Sequence, residues 1–314
     1  MKNKKVLITG ATGFIGANLA RYFLEKGAEI FVFTRRASDK WRIWDILGNI
    51  SEYSVDLKDP ANLEKIIKKI KPQIVIHTAV YGGYFSQNDT AKIIETNFTG
   101  TVNLINALKG VKFELFINTG SSSEYGIKPR PMKETDSLEP FSEYGVSKAA
   151  ADLYCHAIAK EENMPVVTLR LFSPYGYYEE KNRLISSVIL SCLKFRNPKL
   201  SSPNSVRDFI FIEDIINAYK KVIDNKDRVK GEVFNIGSGK QHTVEKVVKN
   251  IVKLTGSKVK PEWGKIISPR HEPECWQADI SKARRLLNWE PEYSLRQGLE
   301  EDINWFKKNI TLYK

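Results

Sequence analysis

Short apolar runs alternate with helical patterns along the first 170 residues of the chain. Six of these runs predict strands, at 5–9, 29–33, 51–55, 73–77, 113–118 and 165–170. The helical patterns between them cover 14–26, 61–70, 88–109 and 144–161. Continuous apolar strands that alternate with helices are typical of a parallel sheet with helices on both faces. The pattern therefore predicts a doubly wound α/β domain.

The pattern loosens after residue 172, where Pro198 and Pro203 interrupt it. Helical patterns return at 213–224, 243–255, 279–287 and 295–308. We predict that residues 1–171, with about 207–236, form the first domain. Residues 172–206 and 237–314 would then form a smaller C-terminal lobe that binds the substrate.

The composition narrows the class of protein. The 314 residues are 42% hydrophobic, enough to bury a sizeable core, and the longest apolar runs are too short to span a bilayer. The N-terminus leads directly into the first strand, and Cys155, Cys192 and Cys275 lie far apart without a CxxC pair. These features predict a cytoplasmic protein with no metal site and no membrane partner.

The net charge of +12 indicates either a lysine-rich surface or an anionic partner. The lysines are scattered along predicted helices, and no tract interleaves basic and aromatic residues as RNA-binding modules do. We therefore expect no nucleic-acid partner and favour the soluble lysine-rich surface.

A glycine-rich turn, Gly10-Ala11-Thr12-Gly13-Phe14-Ile15-Gly16, follows the first strand and opens the first helix. Glycine lets the backbone approach a pyrophosphate, and a helix N-terminus offers that anion free N–H groups and partial positive charge. The alternative is a glycine-rich turn without a ligand. Because the turn sits in a βαβ unit, we predict a Rossmann-type doubly wound parallel sheet with a smaller C-terminal α/β substrate lobe. The predicted cofactor contacts are Gly10, Thr12, Gly13, Phe14, Ile15 and Gly16.

The end of the second strand should discriminate between NAD and NADP. An acid there accepts a hydrogen bond from the ribose 2′-OH, but this sequence has Thr34 followed by Arg35 and Arg36. Guanidinium groups are good phosphate ligands, so we predict NADP, with NAD as the alternative if the arginines are solvated. Asp56 and its neighbour Leu57, just past the third strand, are assigned to the cofactor site, with Asp56 placed to bind the adenine amine.

Tyr144 and Lys148 begin a long helical pattern, four residues apart. Residues at this spacing share a helix face, so the ammonium lies beside the phenol. A nearby cation lowers a phenol's pKa and makes it a better proton donor and acceptor near neutral pH. The alternative is an ordinary helix start, but the position after a nucleotide-binding half favours a catalytic pair that also contacts the cofactor.

These motifs resemble the extended short-chain dehydrogenase/reductases, and within them the nucleotide-sugar epimerase/dehydratase family. Further similar motifs are His77-Thr78-Ala79, Asn97-Phe98-Thr99-Gly100-Thr101, Arg207-Asp208-Phe209, Asn235-Ile236-Gly237 and Asp279-Ile280-Ser281-Lys282-Ala283. The resemblance spans nearly the whole chain. It implies that Ala79 and Asn97 join the cofactor site, and that the chain dimerises through the helices at 88–109 and 144–161.

The resemblance also interprets the run Gly120-Ser121-Ser122-Ser123-Glu124-Tyr125-Gly126. Ser121 precedes Tyr125-Gly126 by four residues and corresponds to the catalytic hydroxyl, while Ser122 and Ser123 face the substrate. Family dehydratases carry an acid at the latter two positions, and a hydroxyl cannot readily replace a carboxylate as the base. Glu124 comes one position too late, and on a continuing strand it would point to the opposite face.

Two reactions remain that need only hydride transfer and one proton. The first is 4-keto reduction of a nucleotide-diphosphate sugar by NADPH, which the arginine pair and the likeness of the serine run to 4-keto-6-deoxy sugar reductases favour. The second is 4-epimerisation with retained NAD. A dehydratase and a non-catalytic cofactor-sensing or RNA-binding relative are less favoured, because a sensor needs no proton donor.

The resemblance places further substrate contacts in the C-terminal lobe. Arg207 and Arg270 match the positions where family members clamp the diphosphate, for which fork-shaped guanidinium groups are suited. Each could instead form a surface or interdomain ion pair. Ser173 lies in the predicted sugar-binding crossover, where family members usually have asparagine. This difference removes the family's usual contact to the sugar or phosphate and indicates a different substrate.

Overall fold

The computed structural model describes residues 1–84, 86–266 and 273–313. In it the chain divides into two compact units. The first contains Met1–Gly126, Asp136–Leu171 and Ala218–Phe234. The second contains Ile127–Thr135, Phe172–Asn217 and Asn235–Lys314. The ligands that we assigned to the two predicted domains remain predictions.

The described residues form eleven strands. They are β1 (Lys5–Thr9), β2 (Glu29–Thr34), β3 (Ser51–Ser54), β4 (Ile74–His77), β5 (Leu115–Ser121), β6 (Val166–Leu171), β7 (Pro174–Tyr175), β8 (Val206–Asp208), β9 (Ile210–Phe211), β10 (Val233–Ile236) and β11 (Gln241–Thr243). Seven of them make one sheet in the order β10-β6-β5-β4-β1-β2-β3. The pairs from β6 to β3 are parallel, which confirms the predicted doubly wound sheet.

The helices are α1 (Phe14–Glu25), α2 (Pro60–Ile70), α3 (Thr90–Ile94), α4 (Gly100–Leu108), α5 (Glu143–Glu161), α6 (Leu184–Leu193), α7 (Ile212–Asp224), α8 (Val244–Thr255), α9 (Ser281–Leu287) and α10 (Leu295–Asn309). The single helix predicted at 88–109 is interrupted by a π-helical turn at Glu95–Thr99 that joins α3 to α4. The sequence pattern did not predict α6.

The core of the first unit explains the continuous apolar strands. Leu7, Phe33 and Phe116 point to one face of the sheet, where they pack against apolar side chains of α2 and α4 such as Leu63 and Leu104. Side chains of the alternate positions, such as Val6 and Ile8, are fully buried on the other face. A parallel sheet buried on both faces needs apolar residues at every central position.

The second unit has its own core and two small sheets. Strands β8 and β11 pair antiparallel, and β7 and β9 pair parallel. Helix α6 packs against α8 and α10, and the largest buried side chains of this unit include Trp289 and Phe306. Among the described residues, no helix combines the length and the apolar character that crossing a membrane requires.

Candidate active site

The turn between β1 and α1 is packed too closely to accept side chains. Gly10 has φ of +72°, and a Cβ on it would lie 2.5 Å from the backbone nitrogen of Ala79. A Cβ on Gly16 would lie 2.4 Å from the carbonyl oxygen of Gly10. Only glycine fits at both positions. The turn thus lies directly against the segment after β4, which holds Ala79, another predicted cofactor contact.

Helix α1 begins at this turn without a side-chain cap. The N-cap residue is Gly13, which has no side chain that could cap the helix. Phe14 and Ile15 are the first helical residues. The first N–H groups of a helix have no acceptor within the helix. The carbonyl of Thr12 accepts a hydrogen bond from Arg42 at 3.3 Å. A bare backbone with free N–H groups is the cradle that a dinucleotide pyrophosphate requires, so these residues fit the predicted cofactor.

The end of β2 contains an acid that the sequence pattern did not reveal. The buried hydroxyl of Thr34 donates a hydrogen bond to the carboxylate of Glu52 on β3. The ammonium of Lys40 lies 2.6 Å from the same carboxylate. Burial acts in the opposite sense, but hydrogen bonds from Lys40 and Thr34 lower the pKa of Glu52. The register explains this contact, because Glu52 lies opposite Val32 and therefore on the same sheet face as Thr34.

Arg35 and Arg36 follow Thr34 and are exposed. Their guanidinium groups form no ion pair within the described residues. Within the described part of the chain, the end of β2 therefore offers two cations without an ion-pair partner, next to one carboxylate that is already paired. This arrangement contains groups suited to a 2′-phosphate and a group suited to a 2′-hydroxyl.

The predicted residues after β3 lie beside the π-helical turn. Asp56 is half-buried, and its carboxylate accepts a hydrogen bond from the backbone N–H of Lys58 at 2.9 Å. Leu57 is buried, and its side chain lies where a Cβ on Gly100 would come within 3.0 Å of it. Asp56 is thus the polar member of this pair, and Leu57 is an apolar wall.

The buried side chain of Asn97 connects the segment after β4 to α5. Its amide accepts a hydrogen bond from the backbone N–H of Tyr81 and donates one to the carbonyl of Tyr81, both at 2.8 Å. It also donates to the hydroxyl of Ser147 at 2.9 Å. Through these three hydrogen bonds the Asn97 amide holds the segment after β4 against α5, next to the predicted cofactor site.

Strand β5 ends at Ser121, and a short 3₁₀ turn, Ser122–Glu124, follows. The Ser121 hydroxyl accepts a hydrogen bond from the backbone N–H of Ser123 at 3.1 Å. The backbone N–H of Ser121 donates to the carboxylate of Glu124 at 2.6 Å. This reciprocal pair is a capping box, whose Ser-x-x-Glu spacing is visible in the sequence. Because the strand does not continue, Glu124 folds back under Ser121 and becomes fully buried.

The start of α5 lies directly against this turn. A Cβ on Gly145 would lie 2.6 Å from the carbonyl oxygen of Ser123. Tyr144, the preceding residue, is half-buried, and Lys148 is only 3% exposed. The structure thus brings the turn that holds Ser121 into contact with the helix end that holds Tyr144. Burial lowers the pKa of Lys148, and the carboxylate of Glu124 opposes this change.

A buried ion cluster lies beneath these residues. The guanidinium of Arg170 donates to Asp152 at 2.8 and 2.5 Å, and to Glu124 at 3.0 Å. It also donates to the hydroxyl of Tyr125 at 2.8 Å. Burial and the charge of Asp152 raise the pKa of Glu124 to about 8, against the effects of Arg170 and Lys148. We did not predict this cluster, because its members are scattered along the sequence.

Two predicted substrate residues lie in the second unit. The guanidinium of Arg207 stands over the ring of Trp276, 5.7 Å from its centroid, and donates to the carbonyl of Val206 at 2.6 Å. Ser173 is half-buried, and its carbonyl accepts a hydrogen bond from Ile210 at 3.1 Å. Arg270, the third predicted residue, lies outside the described residues.

The model of the NAD-dependent epimerase/dehydratase family matches residues 6–237 of the chain. The chain belongs to this family. It is thus an enzyme with a Rossmann-type fold, as the glycine turn and the other motifs predicted.

Relatives from this family cover nearly the whole chain. A UDP-glucuronate 4-epimerase of Thermodesulfobacterium geofontis is 28% identical, covering 98% of both chains. A dTDP-glucose 4,6-dehydratase of Neisseria meningitidis serogroup B is 26% identical, covering 99% of this chain and 95% of its own.

A solved structure of the same family has a closely similar fold. The UDP-glucuronic acid 4-epimerase of Bacillus cereus, in complex with UDP-glucuronic acid and NAD, has a TM-score of 0.85 and 27% identity, covering 97% of this chain and 99% of its own. The proteins similar to this chain include 4-epimerases and a 4,6-dehydratase. The reaction of this chain therefore has to be inferred from its site.

Proposed function

We propose that this enzyme transfers a hydride at C4 of a nucleotide-diphosphate sugar. The contact between the Ser121 turn and the start of α5 carries this proposal, because it gathers Ser121, Tyr144 and Lys148 in one region of the first unit. The glycine turn and the segment after β4 border the same sheet edge, where a nicotinamide dinucleotide would bind.

The three side chains have distinct roles in this proposal. The Tyr144 phenol gives a proton to the sugar oxygen, or takes one from it. The ammonium of Lys148 favours the phenolate and so lowers the pKa of the phenol. The Ser121 hydroxyl forms a hydrogen bond to the same sugar oxygen and holds it in place. A bound nicotinamide would supply or accept the hydride.

The environment of Glu124 argues against dehydration. Loss of water from the sugar needs a carboxylate that can abstract and return a proton. The residues after Ser121 offer the hydroxyls of Ser122 and Ser123 instead. Glu124 is fully buried, and its two oxygens accept hydrogen bonds from Ser121 and Arg170. We therefore assign no acid–base role to Glu124.

The leading candidate reaction is reduction of a 4-keto sugar by NADPH. It is supported by Arg35 and Arg36, whose exposed guanidinium groups make no ion pair in the described chain and suit a 2′-phosphate. In this reaction the reduced cofactor enters, reacts and leaves in each turnover.

The second candidate is 4-epimerisation with NAD. Two observations favour it. The relatives include 4-epimerases, and a related 4-epimerase was solved with NAD. In addition, Glu52 brings a carboxylate to Thr34, at the strand end where an acid would read the ribose 2′-hydroxyl.

We propose a nucleotide diphosphate as the carrier of the sugar. The guanidinium of Arg207, which lies over the ring of Trp276, would bind the diphosphate, and Arg270 would assist. The Bacillus cereus 4-epimerase binds UDP-glucuronic acid, which supports a substrate of this class. Ser173 would contact the sugar.

We also propose a cytoplasmic homodimer. Val146 and Leu153 on α5 are 50% and 58% exposed, and Ile94 on α3 is 44% exposed. Exposed apolar side chains on neighbouring helices favour burial against a second copy. Substitution of Leu153 by Glu should convert a dimer into a monomer in analytical ultracentrifugation.

The function is tested by incubating the purified protein with UDP-, dTDP-, GDP- and CDP-linked hexoses and their 4-keto forms. NADPH consumption with a 4-keto sugar would support the reductase, and formation of the C4 epimer without added cofactor would support the epimerase. Substitution of Tyr144 by Phe should lower either activity by about 10²- to 10⁴-fold. Inactivity with all of these sugars and both cofactors would refute the proposal.

A further inference from the structure

The buried ion cluster joins three elements of the first unit. Glu124 belongs to the turn after β5, Arg170 to β6 and Asp152 to α5, and all three side chains are buried. The guanidinium of Arg170 bonds both carboxylates at once. The cluster therefore fixes the turn relative to the helix.

The spacing on α5 aligns this cluster with the proposed catalytic pair. Asp152 lies four residues after Lys148 and eight after Tyr144, so the three side chains follow one face of the helix. The carboxylate of Glu124, at the other end of the cluster, accepts the backbone N–H of Ser121. A continuous path of bonds thus runs from Ser121 to the helix that presents the tyrosine and the lysine.

We propose that Glu124 is a positioning residue that fixes the Ser121 hydroxyl relative to Tyr144, acting through Arg170 and Asp152. This inference rests on the proposed function for its catalytic consequence. Glu124 bonds the backbone N–H of Ser121 on one side and Arg170, which bonds Asp152 of α5, on the other.

Both oxygens of Glu124 act as hydrogen-bond acceptors. One oxygen accepts from Ser121 N–H and the other from Arg170, and both donors are N–H groups. The neighbouring charges are Arg170, Asp152 and Lys148. Removal of one partner from such a buried group leaves the others without compensation, which favours rearrangement of the turn.

The first test measures the position of Ser121 without using activity. Amide hydrogen exchange across residues 115–126 is compared in the wild type, Glu124→Val and Glu124→Gln. Valine removes the acceptor of the Ser121 N–H, whereas glutamine can keep it. We expect fast exchange at Ser121 in E124V and nearly normal exchange in E124Q.

The matched control is Asp214→Asn in the second unit. Asp214 is a buried acid that accepts backbone N–H groups of Glu292 and Tyr293 at 2.7 and 3.3 Å. This variant loses a comparable charge but should leave exchange across 115–126 unchanged. If E124V exchanges like the wild type across this segment, the proposal is overturned, whatever the activity of the protein.

The second test is a double-mutant cycle with Ser121→Ala. Misplacement of a catalytic group by about 1 Å costs on the order of 100-fold, so we expect kcat of E124V to fall by about that factor. We expect the Kd for the cofactor to change less than about twofold. In the S121A background, E124V should have little further effect, because both changes remove the same contribution.

The outcomes separate this inference from the proposed function. A wild type without C4 activity refutes the function, and the exchange measurement then decides the positioning role alone. An active wild type in which E124V and S121A reduce kcat independently overturns the positioning role and leaves the function intact. If E124V does not fold, Glu124→Ala, which also lacks the acceptor for the Ser121 N–H, replaces it in the cycle, and an unchanged kcat in E124A overturns the proposal.

Discussion

The ends of β5 and β2 have similarly polar sequences but opposite environments. After β5, Glu124 is fully buried, and its carboxylate is bonded to Ser121 and Arg170. After β2, Arg35 and Arg36 are exposed and form no ion pair in the described part of the chain. The buried charges hold protein groups in fixed positions, whereas the exposed charges are available to a ligand.

From this difference we expect the end of β5 to govern the rate of the reaction and the end of β2 to govern the choice of cofactor. Substitutions at the end of β5 should affect the rate of the reaction, because we propose that this region orients the reacting groups. Substitutions at the end of β2 should affect which cofactor binds, because free guanidinium groups discriminate between a phosphate and a hydroxyl. The following experiments test this division, beginning with the largest expected effect.

Tyr144→Phe should lower kcat by about 10²- to 10⁴-fold, because it removes the proposed proton donor. The Kd for the cofactor, measured by fluorescence titration, should remain within about twofold of the wild type. Tyr154→Phe on the same helix provides the control and should retain activity. A Y144F enzyme with wild-type activity would show that Tyr144 is not the proton donor, and it would contradict the assignment of the reaction rate to the end of β5.

A buried acid in the second unit provides a contrast to Glu124. Asp302 is also fully buried, but neither of its carboxylate oxygens has a hydrogen-bond partner among the described residues. Leucine has the same branching and the same number of side-chain heavy atoms as aspartate. Asp302→Leu should therefore increase the free energy of unfolding by about 1–3 kcal/mol at pH 8, since it removes an unsatisfied polar group. Glu124→Leu should instead decrease it by about 3–5 kcal/mol, because it removes one of the two carboxylates that pair with the buried Arg170 and the acceptor of the Ser121 N–H.

The increase in the free energy of unfolding that Asp302→Leu produces should depend on pH. Burial, and then the charge of Glu179, raise the pKa of Asp302 well above its ordinary value of 3.8. The folded state therefore keeps a proton that the unfolded chain loses, and the resulting stabilisation disappears as pH rises through the folded-state pKa. In denaturant titrations from pH 4 to pH 9, the free energy of unfolding of D302L should exceed that of the wild type by an amount that grows as the pH rises. An advantage independent of pH would contradict this assignment.

The double substitution Arg35→Ser and Arg36→Ser should weaken NADP binding by about 10- to 100-fold, as expected for loss of charge-assisted hydrogen bonds. The affinity for NAD should change little. Isothermal titration calorimetry measures the ratio of the affinities for NADP and NAD. Arg296→Ser, at an exposed arginine of α10, controls for the change in net charge. Equal weakening for both cofactors would show that the arginines do not read the 2′-phosphate.

Glu52→Gln should produce the smallest change, about threefold, because this carboxylate is partly exposed and paired with Lys40. We expect weaker binding of NAD and stronger binding of NADP. Glu29→Gln, at the opposite end of β2, should have no effect on either cofactor. If E52Q leaves the ratio of the two affinities unchanged, Glu52 does not take part in cofactor selection.

The sequence predicted those features that depend on local patterns. The apolar runs located the strands of the parallel sheet, and the glycine turn was identified because Gly10 and Gly16 must lack side chains. The start of α5 was predicted within one residue, because the helical pattern begins at Tyr144, and the structure shows that Ser142 caps the helix.

Features that depend on strand register or on long-range pairing were missed. Glu52 reaches Thr34 only through the alignment of β2 with β3. Glu124 was expected on the opposite face of a continuing strand, but β5 ends at Ser121 and the following turn redirects its side chain. The pairing of Arg170 with Asp152 and Glu124 spans 18 and 46 residues of sequence, so no local pattern could reveal it.

The most direct test follows the hydride itself. Wild-type protein is incubated with reduced cofactor carrying deuterium at the transferable position and with a nucleotide-linked 4-keto hexose. The product is then analysed by NMR. We predict deuterium at C4 of the sugar, and transfer slower by at least about 100-fold with the Y144F variant. Deuterium at another carbon, or a product without deuterium, would contradict hydride transfer at C4.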